Sequence, residues 1–137
     1  LDYGHWAAHK LENLSHHRLR HGEAVAVGMA LDGLYANPLG LLSDVDTQRV
    51  MSLLRKLGFN LCPPELSLQD AQGRSPLLLG LEEFRQHLGG QLSIPMLNRI
   101  GQSVDLHEID GAKMQAALLR LSTRSDAVVP LGEGYAQ

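Results

Sequence analysis

Residues 3–29 read YGHWAAHKLENLSHHRLRHGEAVAVGM, and this stretch sets what the rest of the chain must accommodate. Five of the seven histidines, His5, His9, His16, His17 and His21, fall within this stretch. Imidazole titrates near neutral pH and offers a nitrogen donor, so such a cluster suggests a metal site or proton transfer. Gly4 to Leu14 reads as a short helix: Trp6, Ala7, Leu11 and Leu14 supply apolar contacts, while His5, His9 and Glu12 recur at spacings of four and three on another stripe. Two imidazoles four apart can converge on an ion, although that pair alone is a weak signal. The protease form His-Glu-x2-His does not apply, because Trp6 occupies the place of the base. Ser15 to Arg20 is a polar, basic connector. After His21-Gly22-Glu23 the run AVAVGMALDGLYA is apolar on nearly every side, which marks a buried helix. It should stop near Asn37-Pro38. His21 thus stands where a connector enters a buried helix, with Gly22 permitting close backbone approach.

Outward from this stretch the chain looks like one ordinary domain. It has 137 residues, 44% apolar and 20% charged, with a net charge of -3. That length supports a single core. The charge gives no electrostatic reason to seek nucleic acid or an anionic membrane. The one cysteine, Cys62, cannot form an internal disulfide, which fits a reducing cytoplasm and leaves any metal site to histidine and carboxylate. No apolar run approaches a bilayer span. Leu1 in place of an initiating methionine, close to the histidines, suggests that the chain is part of something larger.

The remaining elements follow from periodicity and punctuation. A helix opens at Ser43 as its cap, with Asp44 and Asp46 at the positive end of the dipole. Val50, Leu53, Leu54 and Leu57 form its apolar stripe, expected in the core, and Lys56 and Gly58 mark its end. Cys62-Pro63-Pro64 is a loop, and Ser67 to Arg74 is ambiguous. Pro76 opens a helix through Leu77, Leu78, Leu81 and Phe84 that ends at Gly89-Gly90. Alternation then predicts two short strands, Gln91–Ile100 with Leu92, Ile94 and Met96 on one side, and Ser103–Glu108. Pro95 suits an edge. Asp110 caps a last helix with Met114, Ala117, Leu118 and Leu121 inward. The expectation is a mainly α domain with a short pair of β-strands over 1–125 and a loosely ordered tail over 126–137.

Two motifs in order, YGHxxxHxxE and HGEAVAxGM, resemble the metal-binding half of 3-dehydroquinate synthase and the wider sugar phosphate cyclases. The likeness extends more weakly through LGGQLSIPMLNRIG, and GHWAAHKLE with RLRHGEAVAVGMALD is closest in wording to the EboD-type branch. The resemblance implies the helical C-terminal domain of the dehydroquinate synthase-like fold. It implies a zinc or similar divalent ion held by His5 and His21, with a glutamate from an N-terminal domain outside this chain. By the same analogy His9 serves as an acid/base or substrate-contacting residue. NAD would bind mainly on the N-terminal domain, a sugar phosphate would be the substrate, and the full enzyme would be a homodimer. The family's chemistry is NAD-assisted phosphate elimination and carbocycle formation, for which this chain alone should be inactive.

Two departures from the family pattern stand at implied substrate contacts. Asp2 replaces an asparagine ahead of the aromatic-Gly-His, and Phe84-Arg85-Gln86 stands at best in the place of Asp-Lys-Lys, so that a phosphate-contacting lysine is either lost or replaced by Arg85, with a planar fork instead of an ammonium. Both argue for a cyclase with a substrate other than that of dehydroquinate synthase. Plainer roles are also available: His16, His17, His87 and His107 as surface residues, Glu12 as a partner of nearby basic groups, and Glu23 as a helix-terminus charge. Two alternatives from other classes are a metal-dependent, NAD-linked polyol or alcohol dehydrogenase and a non-enzymatic helical binding module.

Overall fold

In a computed structural model of the chain, which describes residues 3–87, 89–90 and 92–123, the order is α1 (His5–Leu14), α2 (His21–Ala36), α3 (Asp44–Lys56), a single 3-10 turn (Pro64–Ser67), α4 (Pro76–His87), β1 (Ile94–Arg99), β2 (Gln102–Leu106) and α5 (Gly111–Thr123). This is a mainly helical domain with one two-stranded sheet. Asp2 and the tail expected over 126–137 lie outside the described residues.

The apolar helix α2 is the axle. From Ala30 through Ala36 every residue is buried, including Asp32, and α1, α3, α5 and β1 all pack around it. A helix touched on several sides cannot keep a polar face, which accounts for its composition. Its start is fixed by Glu23, whose Oε1 accepts from the Arg20 backbone N–H at 2.8 Å.

Helix α1 lies unusually close to α2. A Cβ on Gly28 would sit 2.1 Å from the Gly4 carbonyl oxygen, so only glycine admits the approach. Gly4 itself has φ of 81°, a left-handed conformation that side chains disfavour. On the far side of α1, α4 closes in over Gly80, where a Cβ would meet the Lys10 side chain at 2.8 Å. The Lys10 ammonium donates to Glu83 at 2.9 Å across the same contact.

The connector between α1 and α2 is clamped. His16 and His17 are exposed, with φ of 53° and 64°. Arg18 donates to both oxygens of Glu65, at 2.5 and 2.7 Å, and the Ser15 hydroxyl accepts from the Leu19 N–H at 3.1 Å.

Elsewhere the local signals act as their chemistry requires. The Ser43 hydroxyl accepts from the Asp46 N–H at 3.1 Å, and Asp110 accepts from the Ala112 and Lys113 N–H groups at 2.9 and 3.2 Å. Leu92, Ile94 and Met96 are buried on one side of the hairpin, with Ile94 opposite Leu106 and Met96 opposite Val104. In α5, Met114, Ala117, Leu118 and Leu121 face inward. One expectation fails: Leu53 and Leu57 of α3 are 57% and 64% exposed, and Met51 is buried in their place alongside Val50 and Leu54. Helix α3 packs mainly against α2, and a single neighbour covers only a narrow strip of a helix.

Candidate metal and substrate site

His5 is held between two anchored neighbours. The Tyr3 hydroxyl donates to the Met29 carbonyl at 2.9 Å, and the Trp6 indole N–H donates to Asp32 Oδ1 at 2.9 Å. Both acceptors belong to α2, so the turn of chain carrying His5 is tied down on either side of it. Burial raises the Asp32 carboxyl to about 7, with the Trp6 indole and the Gly4 amide opposing. Its Oδ2 has no hydrogen-bond partner among the described residues. Burial, then the charge of Asp32, also raises the Tyr3 phenol.

This anchoring brings three imidazoles together. His5 and His21, sixteen residues apart in sequence, have ring centroids 5.2 Å apart. His9 stands 6.2 Å from His5 and 6.3 Å from His21. Two imidazoles sharing one tetrahedral ion at about 2.1 Å per nitrogen have centroids roughly 5 Å apart. His5 and His21 fit that spacing, and His9 stands further off. The outward-facing nitrogens suit the same purpose. His21 Nδ1 lies 2.8 Å from Glu12 Oε2 and His5 Nδ1 lies 3.4 Å from the Tyr3 carbonyl; a proton on each Nδ1 leaves the lone pair on Nε2. Among the described residues no group of three His, Cys, Asp or Glu side chains could hold a metal by itself.

His5 and His9 border a cavity of about 400 Å³ whose other walls are Trp6, Phe84, Ser93, Ile94 and Pro95. These come from α1, α4 and the hairpin, so the cavity exists only once three separate segments have packed. Arg85 does not join it. Its guanidinium bonds Glu82, donates to the Gly90 carbonyl at 3.2 Å, and lines a different cavity of about 730 Å³ with His107 and Glu108. Asp2, the other expected substrate contact, lies outside the described residues.

Three residues at or behind the site carry more than their sequence signals implied. Glu12, read from the sequence as a partner of nearby basic groups, bonds His21 across nine positions. Phe84 reads as core from its stripe yet is a cavity wall. Asp32 has no sequence signal beyond its position in an apolar helix.

The family profile described as 3-dehydroquinate synthase C-terminal matches residues 1–73, the segment that contains all three imidazoles. The chain belongs to the 3-dehydroquinate synthase family. This family member is 31% identical over 117 residues to 3-dehydroquinate synthase of Corynebacterium jeikeium, covering 85% of this chain and 30% of the relative. It is 33% identical over 126 residues to 2-epi-5-epi-valiolone synthase of Streptomyces glaucescens, covering 86% and 30%. Among solved structures it superposes on a 2-epi-5-epi-valiolone synthase from Streptomyces hygroscopicus subsp. jinggangensis 5008, solved with NAD+ and Zn2+ bound. That match has a TM-score of 0.76 and 28% identity over 90% of this chain and 32% of that one. A 2-deoxy-scyllo-inosose synthase, at 22% identity and a TM-score of 0.66, shares the fold. The chain thus spans about a third of the relatives it matches.

Proposed function

We propose that this chain is the metal- and substrate-binding half of a sugar phosphate cyclase, whose nucleotide-binding half supplies NAD and the remaining metal ligand. The supporting observation is the 5.2 Å approach of His5 and His21, contributed by the two motifs YGH and HGE, beside a cavity that His9 also borders. In this reading His5 and His21 hold a divalent ion, zinc by the preference of imidazole donors. Such an ion polarises a hydroxyl or carbonyl oxygen of the substrate, and NAD stores a hydride during the reaction.

The chain's own residues do the rest. His9 reaches the same cavity as His5 without standing at ligand distance, so it is placed to exchange a proton with a substrate oxygen or to hold that oxygen by a hydrogen bond. Trp6, Phe84 and Pro95 wall off one side and limit how a ring can lie. The substrate would be a sugar phosphate, and the complete enzyme a homodimer. Phosphate would be released and a carbocycle closed without net consumption of NAD.

The test joins the chain to a nucleotide-binding half and follows phosphate release from a panel of sugar phosphates. Release should depend on both metal and NAD, with no net NADH, and should fall by a factor of about 100 or more in His9→Ala. No release from any substrate with metal and NAD bound would remove the cyclase reading, and net NADH formation from a simple alcohol would replace it with a dehydrogenase.

A further inference from the structure

The contact between Glu12 and His21 crosses from the third turn of α1 to the first residue of α2. Glu12 Oε2 lies 2.8 Å from His21 Nδ1, and Glu12 Oε1 lies 3.6 Å from His9 Nδ1. A carboxylate accepts and does not donate, so this pairing puts the His21 proton on Nδ1 and leaves Nε2 with its lone pair. An unconstrained imidazole has no such restriction and spends much of its time with the proton on Nε2, where only Nδ1 has a lone pair for an ion.

An exposed ion pair usually contributes little because both side chains must be ordered to form it. Here most of that ordering is already done by the fold. The Glu12 side chain is only 16% exposed, against 57% for His21. The connector between them is fixed by Arg18 on Glu65 and by Ser15 on the Leu19 amide. The separation of the two partners is therefore set by backbone packing more than by side-chain sampling.

We propose that Glu12 is a positioning residue: it fixes the His21 tautomer so that Nε2 keeps its lone pair for an ion shared with His5. This deepens the metal-site reading and rests on it. A carboxylate behind a metal-bound imidazole orients the ring and raises its basicity, and losing one costs about 10–100-fold in metal affinity.

The chain labelled with 15N-histidine reads the tautomer directly in long-range proton–nitrogen spectra at pH 8, without metal. Wild type should show His21 protonated on Nδ1; Glu12→Ala should shift it to the Nε2-protonated form. Glu12→Gln, which keeps an accepting oxygen, should retain the Nδ1–H form and guards against mistaking unfolding for loss of the contact. Zinc titrated onto the same samples should bind about tenfold or more weakly in Glu12→Ala, with partial recovery in Glu12→Gln. Retention of the Nδ1–H form in Glu12→Ala would overturn the proposal. So would unchanged zinc binding in that variant while His21→Ala abolishes it. If neither His5→Ala nor His21→Ala alters zinc binding, the metal-site reading fails and this inference falls with it, whatever the tautomer spectra show.

Discussion

Helices α2 and α3 both carry dense apolar sequence beside the same core, yet they are used differently. In α2 apolar residues on every side are buried, and a carboxylate, Asp32, goes in with them. In α3 only Val50, Met51 and Leu54 of the apolar set are covered, and Val45, Leu53 and Leu57 stand in the open. The difference lies in the number of neighbours. Helix α2 has α1, α3, α5 and the hairpin around it, whereas α3 packs mainly on α2. Apolar composition states what burial would gain; the neighbours decide how much of it is realised. His21 opens α2, and His5 and His9 come from α1 packed against it, so the spacing of the three rings depends on how those two helices meet.

The sharpest way to break this contrast is Gly28→Val. The new side chain would run into the Gly4 carbonyl, now 2.1 Å from an ideal Cβ, and force α1 off α2. A loss of about 3 kcal/mol or more in urea denaturation is expected, together with loss of the His5–His21 proximity in histidine NMR. A change below about 0.5 kcal/mol would mean the two helices are not locked together as described.

Asp32 gives the next effect, and it depends on pH. Its folded-state value, near 7, lies above the ordinary 3.8, so the folded chain holds this proton more tightly than the unfolded one. The associated stability is fully present below about 3.8, is lost as pH rises toward about 7, and is gone above it. The stability of wild type relative to Asp32→Asn should therefore fall, by up to a few kcal/mol, between pH 5 and pH 8. Parallel stability curves for the two proteins across that range would contradict the buried, proton-holding role.

The smallest effect belongs to α3. Leu53→Lys and Leu57→Lys should each change stability by less than about 0.5 kcal/mol, because both side chains are already in contact with water. A loss of about 2 kcal/mol from either would show that the stripe is covered in solution, and the contrast between the helices would shrink.

Most elements were legible because their signals are local. Ser43 and Asp110 cap the helices that follow them because a side-chain oxygen needs only the amides two or three residues ahead. The alternation of Leu92, Ile94 and Met96 needs only the pleat of the strand they belong to. The two histidine motifs were legible in their wording, and packing brings the His5 and His21 rings to 5.2 Å between centroids. The family match over residues 1–73 covers the same motifs.

What only the tertiary structure decided are the contacts between segments that no short window contains. Periodicity placed Leu53 and Leu57 inside, and they are outside because among the described residues no element packs over them. Arg85 lines a cavity apart from the one that His5 and His9 border, with its guanidinium on Glu82 and the Gly90 carbonyl. Glu12 meets His21, and Trp6 meets Asp32 across 26 positions, only after α1 has settled on the Gly28 notch of α2. The sequence alone determined the helices, the turns and the identity of the imidazoles, since those depend on backbone preference and side-chain chemistry. Which groups face one another was left to packing, because a side chain's partners are set by the position of the whole chain and not by its own neighbours in sequence.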